Sequence, residues 1–134
     1  MIEDFVGIPF VDKGRDYKGA DCYGICKMYF KDILGIDIPD VLASPNQIKM
    51  AYIEYLENIR TYWIEHKEIK ENTIVAMRTD PNNPKLVTHF GIILKIDGKY
   101  KMLHTFRDTA SHIVTLPNPI YDNKIVAYYE FKGK

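Results

Sequence analysis

The sequence predicts an α+β domain, with helices in its first half and an antiparallel sheet in its second. Three observations point there. Before about residue 70, two stretches carry apolar residues at helical spacing, and each has a start signal. After residue 70 the β-branched and aromatic residues fall into short runs: "TIVAMR", "LVTHFGIILKI", "KYKMLHTF", "HIVTL" and "KIVAYYEF". Gly, Asp, Asn and Pro separate these runs. Helices first and antiparallel strands afterwards make an α+β domain. The chain has no internal repeat, no low-complexity tract and no linker, so residues 1–134 read as a single domain.

The first helix lies between Asp21 and Gly35, where Ile25, Tyr29, Phe30, Ile33 and Leu34 share a face. Asp21 is the expected N-cap, its carboxylate accepting from the free amides of the first turn, and Gly35 ends the run. The second helix is expected to start at "SPNQ", with Ser44 as N-cap, Pro45 in the first turn and Gln47 completing a capping box. Its inward stripe is Ile48, Ala51, Tyr52, Tyr55, Leu56, Ile59 and Trp63, a 3.6-residue period whose expected role is core packing. Among the strands, Asp97-Gly98 is a two-residue hairpin signal. If it is used, Ile96 faces Lys99, and partners along the hairpin have numbers that total 195.

Composition excludes several function classes. The 18 basic and 18 acidic residues cancel, so nothing points to nucleic acid or another polyanion. Two cysteines four apart do not make a disulfide framework. No apolar run approaches the ~18 residues that would cross a bilayer, so no membrane insertion is expected. "MIEDFVGIPF" lacks the basic start and apolar run of a signal peptide, which reads as a chain that is cytoplasmic when synthesised.

The chemistry concentrates in "YKGADCYGICKMYF". Cysteine is commonly a small core residue, and Cys26, one turn into the helix among apolar neighbours, fits that role. Cys22 does not. Behind Asp21 it occupies the first helical turn, where free amides and the macrodipole favour a thiolate, the nucleophilic form. A cysteine nucleophile needs a base. His66 lies among charges at the expected end of the second helix and reads as solvated, and His112 opens a strand after a polar loop and reads as exposed. His89 and His104 flank the Asp97-Gly98 turn. In the expected register His104 faces Gly91 and His89 faces Phe106. The two histidines then share a sheet face as diagonal neighbours, with α-carbons ~7–8 Å apart. Gly91 is expected to leave room for the His104 ring. Cys22 as nucleophile, His89 as base and His104 as the residue fixing its tautomer would perform acyl transfer. Amides at the helix start would hold an oxyanion there.

"PFVDKGRDYKGADCYGICKMYF…LGIDIP" resembles the Asp-Cys-aromatic/Ser-Gly helix start of NlpC-type papain-like cysteine peptidases, which are cell-wall endopeptidases. It is most similar to versions encoded with phage tail proteins. "VTHFGIIL" resembles that family's histidine strand and "MLHTF" its third-residue strand, so the likeness runs from about Phe5 to Tyr129. The resemblance implies a papain-like NlpC fold, with Cys22, His89 and His104 as the catalytic set and Asp21 and Tyr23 at the helix cap and oxyanion. It implies cleavage of D,L-amide bonds in peptidoglycan stem peptides, with no cofactor. Many members carry a tyrosine twelve residues before the cysteine; here Phe10 stands at that offset, leaving Tyr17, Tyr23 or backbone amides to assist the oxyanion. A phage tail or prophage setting, with tail proteins as partners, would deliver such a domain to the cell wall. Two other readings remain open: a tail-assembly or structural protein of the same fold with weak or no hydrolysis, and a metal site made by Cys22, Cys26, His89 and His104.

Overall fold

The computed structural model describes residues 2–133. A short hairpin, β1 (Arg15–Asp16) and β2 (Gly19–Ala20), leads into α1 (Cys22–Asp32), then α2 (Ile48–Tyr62), β3 (Trp63–His66), β4 (Ile74–Met77), β5 (His89–Ile96), β6 (Lys99–His104), β7 (His112–Thr115) and β8 (Ile125–Phe131). The last six strands form one antiparallel sheet in the order β3-β8-β4-β5-β6-β7. The α+β class expected from the sequence is the class observed.

Strand alternation divides the buried residues into two sets. Ile74, Ala76, Ile92, Leu94, Leu103, Ala127 and Tyr129 pack with Phe5, Ile25, Cys26, Tyr29, Phe30 and Ile38 into the main core beneath α1. Val75, Met77, Ile93, Met102 and Leu116 form a second cluster, with Tyr100, Tyr121 and Tyr128 packed against it. The β5–β6 register is the expected one: Ile96 faces Lys99 and Ile92 faces Leu103. Asp97 and Gly98 have φ of 53° and 77°, the left-handed pair that a two-residue hairpin turn requires.

The helix boundaries differ from the sequence expectation in two places. Residues 44–47 form a turn instead of the first turn of α2. Gln47 Oε1 does accept from the Ser44 amide, but Ser44 Oγ accepts from Asn46, and α2 starts at Ile48 without a side-chain cap. Trp63 belongs to β3 and not to the helix stripe. It pairs with Phe131 of β8, and its ring meets Phe30 and Phe131 edge-on at centroid distances of 5.8 and 5.0 Å. A tryptophan fits either pattern, and the available partner strand decided between them. His66 accordingly lies on β3, half-buried against Glu130 at 2.9 Å, and not at a helix end. Within α2 Tyr55 is buried, and Tyr52, Leu56 and Ile59 pack half-buried against the main core.

Candidate active site

Asp21 is the N-cap of α1, as its sequence position requires, and it is itself buried. Its carboxylate accepts from the Gly24 amide, the Lys13 amide and Arg15 Nη1, each at 2.8 Å. Arg15 also reaches Asp40, so one guanidinium ties the helix start to the segment after α1. A Cβ on Gly24 would run into the Gly14 carbonyl oxygen. Only a glycine lets the first turn of α1 press against the backbone before β1, and this fixes where Cys22 projects.

The histidines meet as the hairpin register predicts. His89 Nε2 lies 2.8 Å from His104 Nδ1, and both rings are buried. With Nε2 engaged, His89 has Nδ1 left for the thiol proton. For His89 Nδ1 to accept that proton, its Nε2 must carry the ring proton and donate to His104 Nδ1, which puts the His104 proton on Nε2. That Nε2 has no hydrogen-bond partner. The ring of Tyr121 stands perpendicular to His104 with centroids 5.1 Å apart. The Phe106 ring stacks on His89 at 3.9 Å and 12°, closing off one face of the base. The space beside Gly91 is not given to His104: a Cβ there would meet Met102 and the Leu103 carbonyl. His112, expected to be exposed, is half-buried opposite His104, with ring centroids 4.5 Å apart.

The electrostatics correct one expectation. Cys22 is not placed to ionise on its own: burial, and then the Asp21 carboxylate, push its thiol up to about 12. The backbone amides of Phe90 and Tyr23, and then Arg15, pull the other way and are outweighed. Burial, reinforced by His104 and His112, holds His89 well below the ordinary 6.5. Burial and then His112 bring His104 down to about 3, so it acts purely as an acceptor toward the base. Burial thus works against charge on both the thiol and the imidazole. Helix position argued for a thiolate, but the desolvation that comes with packing was not visible in sequence.

Cys22 and His89 line one cleft of about 330 Å³ with Phe10, Asn46, Asp80, Thr88, Thr105, Phe106 and Arg107 among its walls. Neither tyrosine hydroxyl named from sequence is free for an oxyanion. Tyr23 donates to the Pro39 carbonyl and Tyr17 to Asp32. What Tyr23 brings to the sulfur is its backbone amide. Cys26 is fully buried in the main core, away from the cleft, and burial pushes its thiol well above the usual range. Among the described residues no group of three or more His, Cys, Asp or Glu side chains is arranged to hold a metal ion. Sequence reasoning missed Arg15, Phe106, Arg107 and Tyr121 as parts of this site. Phe106 was detectable, since the hairpin register placed it opposite His89; the others depend on loop packing.

The sequence matches the NlpC/P60 family over residues 7–130. No curated protein matches the chain. Solved structures share the fold at low identity. An NLP/P60-family protein described as similar to a lipoprotein, from Staphylococcus aureus, aligns with a TM-score of 0.63 and 16% identity, covering 96% of this chain and 39% of that one. NlpC1 from Trichomonas vaginalis gives 0.59 and 19%, covering 96% and 42%. The NlpC/P60 domain of the peptidoglycan hydrolase SagA gives 0.56 and 16%, covering 95% and 89%. The chain thus spans well under half the length of the first and second of these proteins and most of the SagA domain. On the match across residues 7–130, with the fold that these structures share, the chain belongs to the NlpC/P60 family.

Proposed function

We propose that the protein is a cysteine peptidase that hydrolyses amide bonds in peptidoglycan stem peptides, acting as a D,L-endopeptidase. The observation that carries this reading is the 2.8 Å bond from His89 Nε2 to His104 Nδ1, in a cleft that His89 shares with Cys22. Family membership and the likeness to a peptidoglycan hydrolase domain support the substrate class.

In this mechanism the Cys22 sulfur attacks the scissile carbonyl carbon as the thiol proton passes to His89 Nδ1. The imidazolium that forms keeps its Nε2 proton on His104, which stays neutral. The oxyanion faces backbone amides at the start of α1. His89 then protonates the leaving amine, the C–N bond breaks, and a thioester remains on Cys22. Water attacks the thioester, giving its proton to His89; a carboxylate leaves and the thiol is restored. Concerted transfer suits a pair whose separated charges are disfavoured by burial.

The reading extends to a phage tail or prophage setting, in which tail proteins carry the domain to the cell wall; the resemblance of residues 9–39 to tail-encoded versions supports it. Burial of the thiol is the one observation favouring a tail-structural protein of the same fold with weak or no hydrolysis. Incubation with peptidoglycan fragments, followed by mass spectrometry, separates the two. The expected result is fragment pairs whose masses together exceed the parent by one water. Cys22→Ala should lower turnover by about three orders of magnitude or more. Intact fragments with the wild-type protein would favour the structural reading, and wild-type turnover by Cys22→Ala would refute the nucleophile.

A further inference from the structure

Arg107 stands on the rim of the cleft, in the loop after β6, and takes no part in the mechanism above. Its guanidinium lies over the Phe10 ring at 5.0 Å, and both side chains line the cleft with Cys22 and His89. Nη2 makes both of its hydrogen bonds, to Asp12 Oδ1 and Asn46 Oδ1, each at 2.8 Å. Asn46 Nδ2 in turn donates to Asp12 Oδ2 at 2.9 Å. This triangle joins three loops around the mouth of the cleft. Nε and Nη1 of Arg107 are unengaged among the described residues, so donors remain for a ligand.

A guanidinium seated on an aromatic ring presents a planar edge that pairs with a carboxylate or a phosphate, and a peptide offers the carboxylate. Asp12 already fills part of this role from within the chain. The pair it makes is open to solvent, with side-chain exposures of 50% for Arg107 and 30% for Asp12, and such pairs are held weakly. A carboxylate arriving with the substrate can therefore replace Asp12 at little cost. The other charged group on the cleft wall, Asp80, accepts from the Asn82 amide and Asn83 Nδ2 within its own loop. Arg107 is thus the cation that the cleft offers.

We propose that Arg107 is a specificity-determining residue that binds a carboxylate of the substrate, exchanging it for Asp12, so that the cleft selects acidic peptides over their amidated forms. The proposal takes its choice of peptide from the peptidase reading, but its test does not depend on cleavage. In the uncleaving Cys22→Ala protein, titration calorimetry compares a D,L stem tripeptide bearing a free side carboxylate with the same tripeptide as the carboxamide. The acid should bind about tenfold more tightly, the difference expected for a charge-assisted pair. Adding Arg107→Gln should bring the two within about twofold, and Asp12→Asn should tighten the acid further by removing the competing carboxylate. Thermal melting of each variant checks that the fold persists. Equal binding of acid and amide, no binding of the acid, or a preference that survives Arg107→Gln would overturn the proposal. If instead wild-type protein cleaves neither peptide while the Arg107-dependent preference holds, the peptidase reading fails and the carboxylate site stands.

Discussion

At the scale of single residues, Cys22 sits between opposing influences. Amides at the start of α1 favour a negative sulfur, while burial and the neighbouring Asp21 carboxylate disfavour it more strongly. A thiol held above its ordinary 9.0 reacts with an alkylating agent only through its rare thiolate fraction. Iodoacetamide labelling of Cys22 in the folded protein should therefore keep accelerating as pH rises past about 9, the ordinary thiol range. Cys26, with no exposed surface, should be labelled only on unfolding. Peptide mapping after timed labelling reads both. A Cys22 rate already level at about pH 6 would show a standing thiolate–imidazolium pair, contrary to the burial described.

Among the elements, α1 depends on a missing side chain. By helix propensity Gly24→Ala should gain about 1 kcal/mol. The added methyl would meet the Gly14 carbonyl, a backbone atom with no rotamer to escape through. Overpacking of this kind costs about 1–3 kcal/mol, so the clash should win, and the helix start that carries Cys22 should shift. Urea unfolding should show net destabilisation, with hydrolysis falling by more than the loss of folded protein explains. A stabilised and fully active variant would mean that the backbone approach is not needed. The same element shows what sequence can and cannot reveal. Asp21, Cys22 and the β5–β6 register were legible because each rests on contacts close in the chain: a cap and its first turn, or a two-residue turn with left-handed backbone. The end of α2 was not, because Trp63 satisfies a helix stripe and a strand equally until Phe131 is placed beside it. The Arg107 cluster was invisible for the same reason in stronger form, since Asp12 lies 95 residues away.

For the molecule as a whole, the buried histidines tie stability to pH. His89 and His104 are both held below the ordinary 6.5, so the folded state leaves them neutral where the unfolded chain would protonate them. The unfolded state then binds more protons, and stability falls as pH drops below about 6.5. Each histidine contributes a slope of up to about 1.4 kcal/mol per pH unit. Urea midpoints should be flat between about pH 8 and 7 and decline between about pH 6 and 5, above the main carboxylate range. His104→Gln should lose about half of that decline. An unchanged slope in the variant would show that His104 is not held neutral.

The sheet order also bears on how the chain is made. β8 follows every other strand in sequence yet lies inside the sheet, between β3 and β4. Without residues 125–131 in place, β4 to β7 can pair as neighbours, but β3 has no partner. α2 runs directly into β3, and Ile48 at its start forms part of the cleft wall. The histidine hairpin thus pairs locally, whereas the cleft wall that α2 supplies waits on the β3–β8 pairing, which spans the longest sequence separation in the sheet.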